Sequence, residues 1–131
     1  MSGRRRVMNY YEITVIIEPA LSDEDLEAVL EKIRNFITKG EGDVLKEDRW
    51  GKRTLAYELN KKSQGYYVLF TFKAPPSLIK TLEDFFKVYD PVFKYMAVKL
   101  EKKQVARLID ELQKSEKAAA QSGQEEEAGV Q

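Results

Sequence analysis

Apolar residues in this chain repeat every second position, then every three to four, then every second again, and the order of those switches admits few topologies. Tyr10 to Ile17 (YYEITVII) is β-branched and aromatic, with Tyr11, Ile13, Val15 and Ile17 on one face, and Pro19 ends it. Ser22 is set as an N-cap with Asp25 three residues on, and Asp23 and Glu24 suit the helix dipole. The helix that follows spaces Leu26, Val29, Leu30, Ile33, Phe36 and Ile37 along one packed face. It stops at Lys39-Gly40, where glycine is expected in the left-handed cap position.

A second, more polar strand runs from after Gly42 to about Leu59, with a bulge or bend expected at Trp50-Gly51. Asn60 to Gly65 (NKKSQG) reads as a turn, and Tyr66 to Phe72 (YYVLFTF) as the strongest strand. Pro75-Pro76 breaks it and opens a helix from Ser77 to about Val88, with Ile79, Leu82, Phe85 and Phe86 as core candidates. Asp90-Pro91 closes that helix and Phe93 to Leu100 is a fourth strand. The order is β-α-β-β-α-β.

Two split βαβ units of this length predict an α+β, ferredoxin-like sandwich: one antiparallel four-stranded sheet with two helices on one face. Alternation then turns Ile16, Tyr67, Leu69, Met96 and Val98 away from the helices, beside Tyr10, Thr14, Thr71 and Lys94. An uncovered face with that much apolar surface needs an occupant. A protein partner, stacked nucleotides and the chain's own C-terminal segment are all open. That segment, 104–121, places Val105, Leu108, Ile109 and Leu112 at helical spacing. Residues 122–131 have little to bury and are expected to be a disordered acidic tail. The expected layout is a flexible basic arm (1–8), the domain (9–103), an amphipathic helical extension (104–121) and the tail (122–131).

Composition narrows the function. The 131 residues carry 22 basic and 22 acidic side chains, with no Cys and no His. Disulfides, thiolate metal sites, the thiol nucleophile and the commonest general base are therefore absent. From Ser115 onward there are four glutamates against one lysine, a balance of −3, so residues 1–114 carry +3. That is mild for a nucleic-acid binder and favours one that shares its charge burden with a partner. No apolar run is long enough to span a bilayer, and none follows Arg4, Arg5 and Arg6 as a signal peptide requires, so a cytoplasmic location is expected.

No catalytic or cofactor motif stands out, and the carboxylates fall mostly on helix faces or in the tail, so neither an enzyme nor a cofactor is expected. The basic residues are better placed. Lys46, Arg49, Lys52 and Arg53 lie along the second strand, Lys61 and Lys62 at its tip, and Lys94 and Lys99 in the fourth strand. As a set they suit phosphates along one rim, where each adds affinity rather than sequence choice. The consensus for stacking bases on such a sheet is absent.

Four stretches together carry a resemblance: NYYEITVII (Asn9 to Ile17), GKRTLAYEL (Gly51 to Leu59), QGYYV (Gln64 to Val68) and DPVFKYMAVK (Asp90 to Lys99). Over about residues 9–103 the chain resembles the bacterial small-subunit ribosomal protein S6 family. The resemblance implies a non-enzymatic, ferredoxin-like ribosomal protein that binds the central domain of 16S rRNA as a heterodimer with ribosomal protein S18. By position it puts Lys94 and Lys99 near RNA, with Arg4, Arg5 and Arg6 as further candidates. It puts Arg53 on a docking edge for the partner, with Lys52, Trp50 and Tyr57 beside it. Asn9 and Tyr10 stand where many members have basic residues, a departure at those two positions. An alternative from the fold alone is a regulatory module that homodimerises through its sheet and binds a small ligand.

Overall fold

The computed structural model describes the backbone of residues 7–59 and 62–129 and the side chains of residues 7–55 and 63–118. Along the chain run β1 (Asn9–Ile17), α1 (Asp23–Lys39), β2 (Asp43–Leu59), β3 (Lys62–Ala74), α2 (Ser77–Val88), β4 (Val92–Lys99) and α3 (Lys102–Gly129). The described residues up to Lys99 form one compact unit and those from Leu100 onward another.

In the first unit the strands make one antiparallel sheet in the order β2-β3-β1-β4. This is the ferredoxin-like arrangement, with β2 and β4 as its edges. Alternation decides which face is packed. Tyr11, Ile13, Val15 and Ile17 of β1 and Val68, Phe70, Phe72 and Ala74 of β3 form one core cluster with Val29, Leu30, Ile33 and Ile37 of α1 and Leu78, Leu82 and Phe86 of α2. Each large apolar side chain so buried contributes about 1.5–3 kcal/mol before entropy is counted. Leu26, Phe36, Ile79 and Phe85 flank the cluster half-buried, and Leu78, absent from the sequence-derived core, is buried.

Local signals read from the sequence mostly hold. Ser22 caps α1 by accepting a hydrogen bond from the Asp25 amide at 3.1 Å. The β2–β3 register slips between Arg49 and Gly51, and Gly51 has φ +85°, so the bulge at Trp50-Gly51 is present. The end of α1 differs. Gly40 has φ −84°, and the left-handed residue is Glu41 at φ +68°. Glycine is needed at position 40 for space, because a Cβ there would run into the Leu78 side chain of α2. The turn after β2 is also shorter than expected. Lys62 already pairs with Leu59, so β3 starts four residues earlier than Tyr66.

In the second unit the helical backbone of α3 continues beyond position 121, to Gly129. Gln, Glu and Ala in that stretch are good helix formers. At its start the Glu101 amide donates to Gln104 Oε1 at 2.8 Å, and Lys114 pairs with Asp110 at 3.1 Å one turn apart.

Candidate protein and nucleic-acid interfaces

The two sheet edges present different chemistry. On β2, Val44 faces the core opposite Phe72, but the next inward positions are Glu47 opposite Phe70 and Arg49 opposite Val68. Charges facing a helix layer require partners. Arg34 of α1 donates to Glu47 Oε1 at 2.6 Å, and Arg49 Nε donates to Glu47 Oε2 at 3.0 Å. The Arg49 guanidinium also forms a bidentate pair with Glu27 of α1, one bond at 3.0 Å from Nη2 to Oε1. That hydrogen bond is the main reason the Glu27 carboxyl sits below its usual range, and it pushes the Arg49 guanidinium up. Arg49, which the sequence marks only as one cation among several on this strand, is thus taken up by partners within the chain. Periodicity alone does not reveal this network. Its one sequence signal is a pair of charges two residues apart on the inward face of an edge strand.

Trp50 is the extra residue of the bulge and has no partner on β3. Without the insertion it would lie opposite Tyr67 on the open face, but Gly51 takes that place and Trp50 stays 49% exposed. The slip also resets every later residue of β2. Lys52 falls opposite Tyr66 on the helix side and Arg53 opposite Gly65 on the open side, so the two cations diverge. Arg53 Nε makes a long bond, 3.4 Å, to the Trp50 carbonyl. Tyr57 lies in β2, and its side chain is outside the described residues, as are the whole of Arg4, Arg5, Arg6 and Lys61.

On β4 the register with β1 separates the two lysines. Lys94 lies opposite Ile16 on the open face, and Lys99 lies opposite Tyr11 on the helix face. The structure therefore does not bring Lys94 and Lys99 together on one face. Met96 and Val98 line the open face between them, opposite Thr14 and Glu12, and are 58% and 48% exposed. Tyr95 and Ala97 turn inward and pack against the core, Tyr95 with its ring 5.3 Å from Phe86.

A second feature missed from the sequence lies between the helices. Phe36 stacks on Phe85 at 4.6 Å and Phe85 on Tyr89 at 4.8 Å, with Lys32 Nζ 4.9 Å over the Tyr89 ring. Burial raises the Tyr89 hydroxyl above its ordinary value. Among the described residues there is no cluster of three or more metal-ligating side chains, and no helix is long and apolar enough to cross a membrane.

The family model for ribosomal protein S6 matches residues 10–99, from the start of β1 to the end of β4. The small ribosomal subunit protein bS6 of Clostridium novyi is 43% identical over 95 residues, which is 72% of this chain and all of the relative. This chain belongs to the ribosomal protein S6 family. The bS6 protein of Moorella thermoacetica is 42% identical over 94 residues, 72% of this chain and 96% of the relative. The crystal structure of ribosomal protein S6 from Thermotoga maritima superposes with a TM-score of 0.68 at 25% identity, covering 87% of this chain and 99% of that one.

Membership makes the chain a structural, non-enzymatic protein of the small subunit of the cytoplasmic ribosome. The regulatory module left open by the fold gives way to it. The match ends with β4, so α3 lies outside the region that defines the family. Both edges, with Trp50, Lys52, Arg53, Lys94 and Lys99, lie inside it.

Proposed function

We propose that this S6-family protein binds the central domain of 16S rRNA together with ribosomal protein S18, using its two sheet edges for different partners. The match of residues 10–99 to the family is the observation that carries the proposal. The edges support the division of labour. β2 offers an exposed indole with Arg53 three residues on, a pairing of residue types enriched in protein–protein hot spots, and Lys52 on the other face of the strand. β4 offers Lys94 and Lys99 on its two faces, so one strand can track phosphates from either side. Arg4, Arg5 and Arg6 add cations close before β1. With a net charge of zero the chain alone binds RNA weakly, and the partner supplies the rest.

A filter-binding titration against the central-domain fragment, with and without S18, tests the proposal. Tight binding is expected only with S18 present. Lys94→Ala combined with Lys99→Ala should weaken the ternary complex and flatten its log–log salt slope by up to about 0.9 per lost phosphate contact for duplex-like sites. An unchanged slope would remove both lysines from the RNA contact.

A further inference from the structure

The bulge in β2 decides how a partner can hold this edge. A free edge strand normally invites another strand to pair with it. Here the register of β2 on β3 slips between Val44 and Lys46, between Arg49 and Gly51, and between Thr54 and Leu59. The longest regular stretches left are Lys46–Arg49 and Gly51–Thr54, four residues each, and between them the bulge inserts Trp50. Bulges break the spacing of backbone groups that an added strand needs. Side chains are then what the edge has to offer. Arg49 is bound to Glu27 and Glu47, which fixes the strand on α1 immediately before the bulge. Immediately after it, Lys52 and Arg53 have no carboxylate partner among the described residues.

We infer that Trp50 is the anchor by which the protein partner grips the β2 edge, and that Gly51 is its positioning residue. The inference rests on the proposal that S18 docks at this edge. It assigns the partner an apolar pocket for the indole, edged by hydrogen-bond acceptors for Arg53 and Lys52. Gly51 earns its place by conformation alone. Nothing lies within 4 Å of where its Cβ would sit, yet φ is +85°, a region that L side chains rarely adopt. A β-branched residue at 51 must leave that region, close the bulge and return position 50 to the row facing Tyr67. Asparagine tolerates a positive φ and should keep the indole where it is. Protein rather than RNA is the favoured occupant because one isolated indole on a bulge is a pocket anchor, whereas single-stranded RNA is held by successive stacked rings.

The chain has a single tryptophan, so 5-fluorotryptophan incorporated into the full-length protein gives one fluorine resonance reporting on position 50. Titration with S18 should shift that resonance. Trp50→Ala should weaken S18 binding by about thirtyfold or more, the threshold of a hot spot. Gly51→Val should weaken it comparably, and Gly51→Asn should stay within about threefold, with urea midpoints confirming that each variant folds. Trp50→Ala carries the test if Gly51→Val does not fold. Unchanged affinity in Trp50→Ala, with S18 still bound, overturns the anchor and leaves the docking proposal standing. Wild-type affinity in Gly51→Val overturns the positioning role. A resonance moved by the rRNA fragment without S18 makes the indole an RNA platform and overturns the inference. Failure of the wild type to bind S18 removes the docking proposal and this inference together.

Discussion

β2 and β4 face the same physical problem and solve it differently. Each is an edge strand with one neighbour, and each must be held against the helix layer. β4 is short, eight residues, and is held by apolar contact: Val92 in the core, Ala97 packed against it, and Tyr95 on the ring of Phe86. β2 is 17 residues long and, past Val44, is held by ions, Glu47 and Arg49 meeting Arg34 and Glu27 of α1. Apolar burial has no charge to screen and no group to titrate, whereas partly exposed ion pairs respond to both salt and pH. Charges turned inward also keep an edge from pairing indiscriminately, while leaving its bulge free to carry a specific contact. The edge held by ions is the one that presents Trp50.

The largest effect should come from the apolar edge. Phe86 is 3% exposed and touches both Phe85 and Tyr95. Phe86→Ala should cost about 3–5 kcal/mol in urea denaturation, through lost burial and the cavity left beneath β4. The loss should be the same at low salt and at about 1 M, where charge interactions are screened within roughly 3 Å. A cost below about 1 kcal/mol would mean that β4 is not held from α2 and would dissolve the contrast.

How visible these edges are in the sequence depends on the range of the interaction that makes them. β1 and the outward set Ile16, Tyr67, Leu69, Met96 and Val98 follow from period-two alternation, and the register agrees. The bulge is visible because a tryptophan-glycine pair interrupts a strand. That Lys94 and Lys99 diverge also follows from counting, since an odd separation puts two residues on opposite faces. The ion network is hidden because Glu27 and Arg49 are 22 positions apart, and only the packed register of β2 on α1 brings them together. Glu41 in the left-handed region is hidden for a similar reason. Gly40, the obvious candidate, is reserved for the approach of Leu78, a contact made by a distant helix.

Glu47 is the hub of the ionic edge, with its side chain 16% exposed and an arginine on each side. Glu47→Ala should cost about 1–2 kcal/mol, because it leaves two guanidinium groups partly desolvated and without their shared acceptor. The cost should shrink at high salt, in contrast to Phe86→Ala. Combined with Arg49→Met it should be less than additive, since the two residues share one network. Strict additivity in a double-mutant cycle would show that the network does not act as a unit.

Arg49→Met should have the smallest effect of the three, about 1 kcal/mol or less at neutral pH, because its partner Glu27 is exposed, Glu47 keeps Arg34, and the shorter methionine side chain still packs its methylenes. Its value lies in its pH dependence. Arg49 stays charged throughout the range in which the protein can be studied, so its partners Glu27 and Glu47 are the groups that can titrate, and it is the Glu27 carboxyl that the hydrogen bond from Arg49 holds below the usual 4.5. A carboxyl whose folded value is depressed binds fewer protons folded than unfolded, so stability rises with pH across that interval. The contribution is complete above 4.5 and is lost as pH falls through the lower folded value. The difference in urea midpoint between wild type and Arg49→Met should therefore be constant from neutrality down to about 5, then close in acid. A difference that persists unchanged below the folded value would mean that Arg49 holds β2 by packing and not by charge. The two edges would then be alike in kind, and the contrast between them would reduce to one of length.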